Sequence, residues 1–191
     1  MKRREKGLTL IELMVTLAVA IVILAIGIPA FNAMSARDVS SVTVNAIVTA
    51  LQNARMEAVG RGVTATVCAL ASRDELLKAT PSCGDAGSDW INGWLAFSEP
   101  RIRDGAFAAA DGEEEIRRFE PPRNQIDITV TGLSPAHLIQ FDSSGMRPRG
   151  TDATFTISTY PSADHSDLAK RLRIVNVVVT ITGQVRTQVV K

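Results

Sequence analysis

Glu12 is a lone carboxylate inside an apolar run that extends from Leu8 to Ala30. A charge within such a span costs about 2.5–3.5 kcal/mol on insertion scales, which marks the residue as functional. Other chemistry-bearing groups are scattered. Asp164-His165-Ser166-Asp167 contains the residue types of a hydrolytic triad, but triads assemble from distant positions, and four neighbours in a row read as a polar loop. Asp104, Asp111 and Glu113 to Glu115 offer oxygens for calcium. They lack the one-three-five spacing of a compact calcium loop, so they read as a solvated charged face and no metal site is expected. There is no phosphate-cradling glycine loop, no HExxH, no Cys–His pair and no nucleophile elbow. The expectation is a protein with no catalytic residues, no cofactor and no enzyme activity.

The 191-residue chain has room for one domain beyond the apolar run. Its 21 Lys and Arg nearly balance 20 Asp and Glu, so bulk charge points to neither nucleic acid nor an acidic partner. Leu8 to Ala30 would make about 35 Å of helix, enough to cross a ~30 Å hydrocarbon core. Lys2, Arg3, Arg4 and Lys6 precede the span and only Arg37 follows closely. The positive-inside bias then places the N-terminus in the cytoplasm and the rest outside. Pro29 predicts a kink or local break near the end of the span. Val44, Ile47, Leu51, Ala54 and Ala58 recur at spacings of three and four, one apolar face of an amphipathic helix. Gly60 and Gly62 end it. One helix from about Leu8 to about Val59 is expected, its first half needing lipid or neighbouring subunits and its second half a sheet.

Strands follow at short spacing: Val63–Leu70, Trp94–Ser98, Glu115–Phe119, Ile126–Val130, Leu138–Phe141, Thr154–Ser158, Leu172–Ile181 and Val185–Val190. Val178-Val179 make the seventh look buried on both faces. Trp90, Trp94 and Phe97 read as core packing. The fold class is α+β, with a long N-terminal helix, transmembrane in its first half and amphipathic in its second, packed on an antiparallel sheet. Segments 8–30 and 31–62 divide the helix, and 63–191 forms an extracytoplasmic β-rich domain packed on residues 38–62. Cys68 and Cys83 lie 15 residues apart in a domain expected outside the cytoplasm, where disulfides persist. A bond between them is expected, with two unpaired structural cysteines as the competing reading.

The basic leader, Gly7, the string Leu8-Thr9-Leu10-Ile11-Glu12 and the long apolar helix together resemble a type IV prepilin. The resemblance implies that residues 1–7 are a leader, that a prepilin peptidase cuts between Gly7 and Leu8, and that Leu8 is then N-methylated. It implies an assembly role for Glu12 among neighbouring pilin helices. The family most often has Phe at the first mature position, where this chain has Leu8. Further along, Ala54-Arg55-x-Glu57-Ala58, Thr66-Val67-Cys68, Cys83 and Trp90-Ile91-Asn92-Gly93-Trp94 are similar to minor pilins and pseudopilins of the GspH/FimT type. So are Asp111 to Arg117, Ile139-x-Phe141-x-x-x-Gly145 and Val179 to Arg186. The implied fold is the pilin fold. The implied function is a structural and assembly subunit of a type IV filament machine, in pilus biogenesis or type II secretion. The implied partners are other pilins, contacted through the N-terminal helix, and inner-membrane lipid. The chain would span the bacterial inner membrane once, with its C-terminal domain in the periplasm or in the filament.

Two alternatives stand beside this reading. Some members of the resembled family bind DNA during uptake through a C-terminal Gly-Arg-x-Arg string; here Gly183-Gln184-Val185-Arg186 lacks the first arginine. Arg147, Arg149, Arg171, Arg173, Arg186 and Lys191 are the candidate phosphate contacts. The other alternative is a secreted binding protein with a conventional signal peptide and a mature start near Phe31.

Overall fold

The computed structural model describes residues 10–85, 89–100, 104–121, 125–148, 150–160 and 173–190. Among the described residues one α-helix, α1 (Leu10–Arg61), leads into eight strands, with three short 3-10 turns in the connections. These are β1 (Thr64–Ala69), β2 (Trp94–Glu99), β3 (Glu114–Phe119), β4 (Ile126–Thr131), β5 (Leu138–Phe141), β6 (Ala153–Thr159), β7 (Arg173–Val179) and β8 (Val185–Val189). The helix runs unbroken through Pro29, so no break forms there. It ends as the glycines predict, with Gly62 in the left-handed region at φ 69°, a conformation that costs glycine nothing.

The strands form two four-stranded antiparallel sheets where one was expected. The first has the order β3-β2-β1-β5 and the second β4-β6-β7-β8. Strand patterns fix which side chains face inward, but they do not say which edges pair. The helix lies across both sheets and joins them into one core. Its buried stripe is Ala36, Ser40, Thr43, Ile47, Ala50, Leu51, Ala54 and Ala58. Most of these are small, which lets the helix approach the sheets closely. Val44, expected on this stripe, is only half-buried at its border. Facing the helix are Ala65, Val67, Trp94, Ala96, Ile139 and Phe141 from the first sheet, and Ile126, Ile128, Phe155, Ile157, Val177 and Val179 from the second.

Trp90, Trp94 and Phe97 pack in the interior. Trp90 meets Phe155 edge-on at 4.8 Å, and its indole N–H donates to the Ala136 carbonyl at 3.2 Å. Trp94 stacks on Phe119 at 5.8 Å. Strand β7 differs from expectation: Val175, Val177 and Val179 are buried, whereas Val178 is half-buried. The strand therefore alternates, with one face on the core.

All six residues of β1 are buried, because the first sheet is covered on its outer face too. A second core of Cys68, Leu70, Leu95, Phe97 and Leu138, joined by Leu76, Cys83 and Phe107, fills that side. The β1–β2 connection that covers it is fastened by the Cys68–Cys83 disulfide, with a Cα–Cα separation of 5.7 Å, and by a bridge pairing Leu70 with Cys83. Glu75, inside the closed loop, accepts from Lys78 Nζ at 2.5 Å and from the Ser82 backbone N–H at 2.8 Å. The Lys78 ammonium, then the Ser82 N–H, hold its carboxyl below the usual carboxylate range.

Arg55 joins three remote segments. It donates through Nε to the Gly145 carbonyl at 3.0 Å and through Nη2 to the Thr182 carbonyl at 3.4 Å. Gly145 and Gly183 both have positive φ, and a Cβ on Gly183 would stand 1.9 Å from the Gly145 oxygen and 2.8 Å from Arg55 Nε. The β5–β6 turn and the β7–β8 turn thus close onto the helix at a point where only glycine fits.

Removing the disulfide by Cys68→Ala with Cys83→Ala should cost about 2–4 kcal/mol, read as a lower urea midpoint in the fluorescence of the buried tryptophans. An unchanged midpoint would show that the loop is held without it. Glu75→Gln should destabilise the protein by about 1.5 kcal/mol near neutral pH. A depressed folded-state pKa contributes stability above the unfolded value and loses it as pH falls. The gap between variant and wild type should therefore close below about pH 4 in melting experiments; a gap independent of pH would contradict the role given to the Glu75 charge.

Candidate functional site

Leu10–Gly27 is an apolar stretch long enough to cross a membrane, and none of it is buried by the rest of the chain. Leu10, Ile11, Met14, Ile21, Ile23 and Ile26 are each more than half exposed. Each such side chain gains about 1.5–3 kcal/mol when it leaves water, so the segment requires lipid or other apolar helices. Glu12 stands in the first turn of this helix, at the positive end of the helix dipole, where a carboxylate is favoured. Gly7 and Leu8, the expected cleavage and methylation positions, lie outside the described residues.

Of the expected basic patch, Arg147, Arg173 and Arg186 are among the described residues. Arg147 is buried, and its Nη1 donates to the Thr151 carbonyl at 2.7 Å and the Val179 carbonyl at 3.0 Å. Burial lowers its pKa. The guanidinium ties the end of β7 to the turn before β6 and cannot reach a phosphate outside, which corrects its assignment as a DNA contact. Arg173 reaches the helix, donating to Ser41 Oγ at 3.1 Å. Arg186 is on the surface of β8, with Nη2 donating to Gln184 Oε1 at 2.9 Å. It lines an open groove of about 450 Å³ with Gln52, Arg55 and Met56 of the helix. Arg149, Arg171 and Lys191 lie outside the described residues, as do Asp164 to Asp167.

A third feature contradicts the reading of Glu113 as part of a solvated face. Glu113 and Glu99 are both buried beneath the β2–β3 connection, beside the exposed Asp104. Burial pushes the Glu99 carboxyl up to about 7, against the opposing help of the Gly105 N–H and the Thr66 hydroxyl, and the nearby Glu113 and Asp104 charges raise it further. Burial also raises Glu113. Glu99 carried one sequence signal: it continues the alternation Leu95, Phe97, Glu99, which places it on the covered outer face of the first sheet.

Residues 43–183 match the family model of the type II transport protein GspH, and residues 2–28 match the prokaryotic N-terminal methylation motif. Among solved structures, two crystal forms of the type IV minor pilin FimU of Pseudomonas aeruginosa PAO1 are similar at 17% and 16% identity. Each covers 81% of this chain, and 86% and 90% of the respective FimU chains, with a TM-score of 0.47 in both cases. No curated protein matches the chain. The GspH match covers most of the chain and joins a methylation motif at its head to an apolar helix with one acidic residue; the protein belongs to the GspH family and is a type IV minor pilin or pseudopilin.

Proposed function

We propose that this protein is made as a membrane precursor, cut between Gly7 and Leu8, methylated on Leu8, and then drawn into a filament through its N-terminal helix. The observation that carries this reading is the bare apolar half of α1, with Glu12 at its head. Residues 1–7 are the leader, 8–30 the membrane and filament-core helix, 31–62 its amphipathic continuation, and 63–191 the periplasmic domain. The basic leader keeps the N-terminus in the cytoplasm. Before assembly the helix rests in inner-membrane lipid; afterwards the helices of other pilins take the lipid's place.

Cleavage creates an α-amine at Leu8, one helical turn before Glu12. The Glu12 carboxylate stands among apolar side chains of its own span. Among neighbouring helices it can meet the amine of an adjacent subunit, and each charge then neutralises the other. Leaving one such partner unpaired costs on the order of 3–5 kcal/mol, so the pair selects the correct stagger between subunits.

Gly7→Val should block processing, since the peptidase must approach the backbone closely where glycine has no Cβ. A mature form of unchanged electrophoretic mobility would refute the cleavage site. Glu12→Ala should leave insertion, cleavage and the melting of the outer domain intact, while its incorporation with other pilins falls by roughly a hundredfold or more in equilibrium terms. Co-purification of the variant at wild-type levels would remove the assembly role from Glu12.

A further inference from the structure

The β2–β3 connection buries carboxylates on the outer face of the first sheet. Glu99 is 0% exposed and Glu113 5%, Asp104 stands at the rim, and one oxygen from each lies within 4.8 Å of the other two. Neutral donors satisfy part of this charge. Glu99 accepts from the Gly105 N–H at 2.8 Å and from Gln140 Nε2 at 3.0 Å. Glu113 Oε2 accepts from the Ala108 N–H at 2.6 Å, and Asp104 Oδ1 from the Ala106 N–H at 2.9 Å. The remainder is unanswered. Glu113 Oε1 is buried without a hydrogen-bond partner. Thr66 faces the same side of the sheet, on the strand next to Glu99 and directly across from Gln140. None of the ion pairs among the described residues involves Glu99, Asp104 or Glu113.

A buried carboxylate oxygen with no donor calls for a cation. We propose that Glu99, Asp104 and Glu113 bind one hard divalent cation, calcium, with the Thr66 hydroxyl and water completing the shell. The donors are all oxygen, which selects hard ions over zinc or copper. Oxygens on opposite sides of calcium, each about 2.4 Å from it, stand about 4.8 Å apart, and the three carboxylates fall within that span. Magnesium demands a smaller, near-ideal octahedron and keeps more of its water, so it fits an irregular set of three acids less well. The ion ties the end of β2 and the connection to the residue just before β3, fastening the outer cover of the first sheet on the side away from the disulfide. The sequence spacing hides such a site, because its ligands come from a strand end, a turn and the residue before the next strand.

The test uses the full-length chain in detergent micelles, stripped with a chelator. Calcium titrated by calorimetry should bind at one site, and about 2 mM calcium should raise the melting temperature by roughly 5 °C, with a smaller rise in magnesium. Asp104→Asn, at an exposed position, should keep the fold and weaken binding at least roughly tenfold. Glu113→Gln retains an oxygen for the Ala108 N–H and should abolish the calcium-dependent rise. Absence of both heat and melting shift in the wild-type chain up to about 10 mM calcium would overturn the site. So would an equal calcium response in both variants. An equal response to magnesium would overturn the assignment to calcium. A wild-type chain indifferent to calcium but less stable than Glu113→Gln would mean a protonated carboxyl there instead, which also overturns the proposal.

Discussion

One helix serving two media is the constraint on which the rest of the structure depends. At about 1.5 Å per residue, the 52 residues of α1 make a rod of about 78 Å. Its buried stripe begins at Ala36, and the apolar stretch Leu10–Gly27 before it is exposed. The β-rich domain must therefore hold the rod with the second half alone. It does so with small side chains that let both sheets come near, so that the helix itself is the wall of the core. A domain gripping its helix this closely has its position fixed by the helix. Whatever sets the stagger of the membrane half also sets where the domain stands in a filament.

The same economy explains why the first sheet is buried on both faces. A helix can cover only one side of a sheet, and the other side needs material from connections. The β1–β2 connection supplies Leu76 and Cys83, and the β2–β3 connection supplies Phe107, which packs edge-on against Phe97 at 5.3 Å. Connections carry more polar groups than helices do, so this second core takes polar atoms with it. Glu75 receives an ammonium and a backbone N–H; Glu99 receives neutral donors alone, Gly105 N–H and Gln140 Nε2 among them. The buried acids of this cover follow from building a wall out of loops.

The sequence revealed most of the elements and little of their pairing. Helix and strand periods depend on near neighbours, which is why the ends of α1, β2 and β5 lie close to where apolar spacing and glycines put them. The division into two sheets depends on which edges meet across the helix, and no local period encodes that. Residues that were misread or passed over share a cause. Ser40 and Thr43 are polar types on a buried stripe. Arg147 is a cation with backbone carbonyls as partners, and Glu113 is an acid inside a charged run that nonetheless turns inward. In each case residue type argued for solvent and the tertiary arrangement overrode it. Glu12 was readable because its surroundings are set by neighbours in sequence, while the Glu99, Asp104 and Glu113 cluster was not, because its members meet only after the β2–β3 connection folds back.

The family resemblance can be given a physical meaning at Arg55. Three of the strings that carry it, around Arg55, Gly145 and Gly183, are far apart in sequence and meet at one point. Gly145 and Gly183 have positive φ, and any side chain at Gly183 would strike the Gly145 carbonyl. The arginine satisfies the turn carbonyls while its own backbone belongs to the helix. This is a packing solution: it fixes the β7–β8 hairpin against α1 and closes the end of the second sheet. It also changes how Gly183-Gln184-Val185-Arg186 reads. The glycine is required by the close approach of two backbones, whether or not anything binds there. Arg186 is then the surface residue of an edge strand that this junction holds in place. The pattern that looked like a ligand-reading string is accounted for, at its first position, by how the chain closes on its helix.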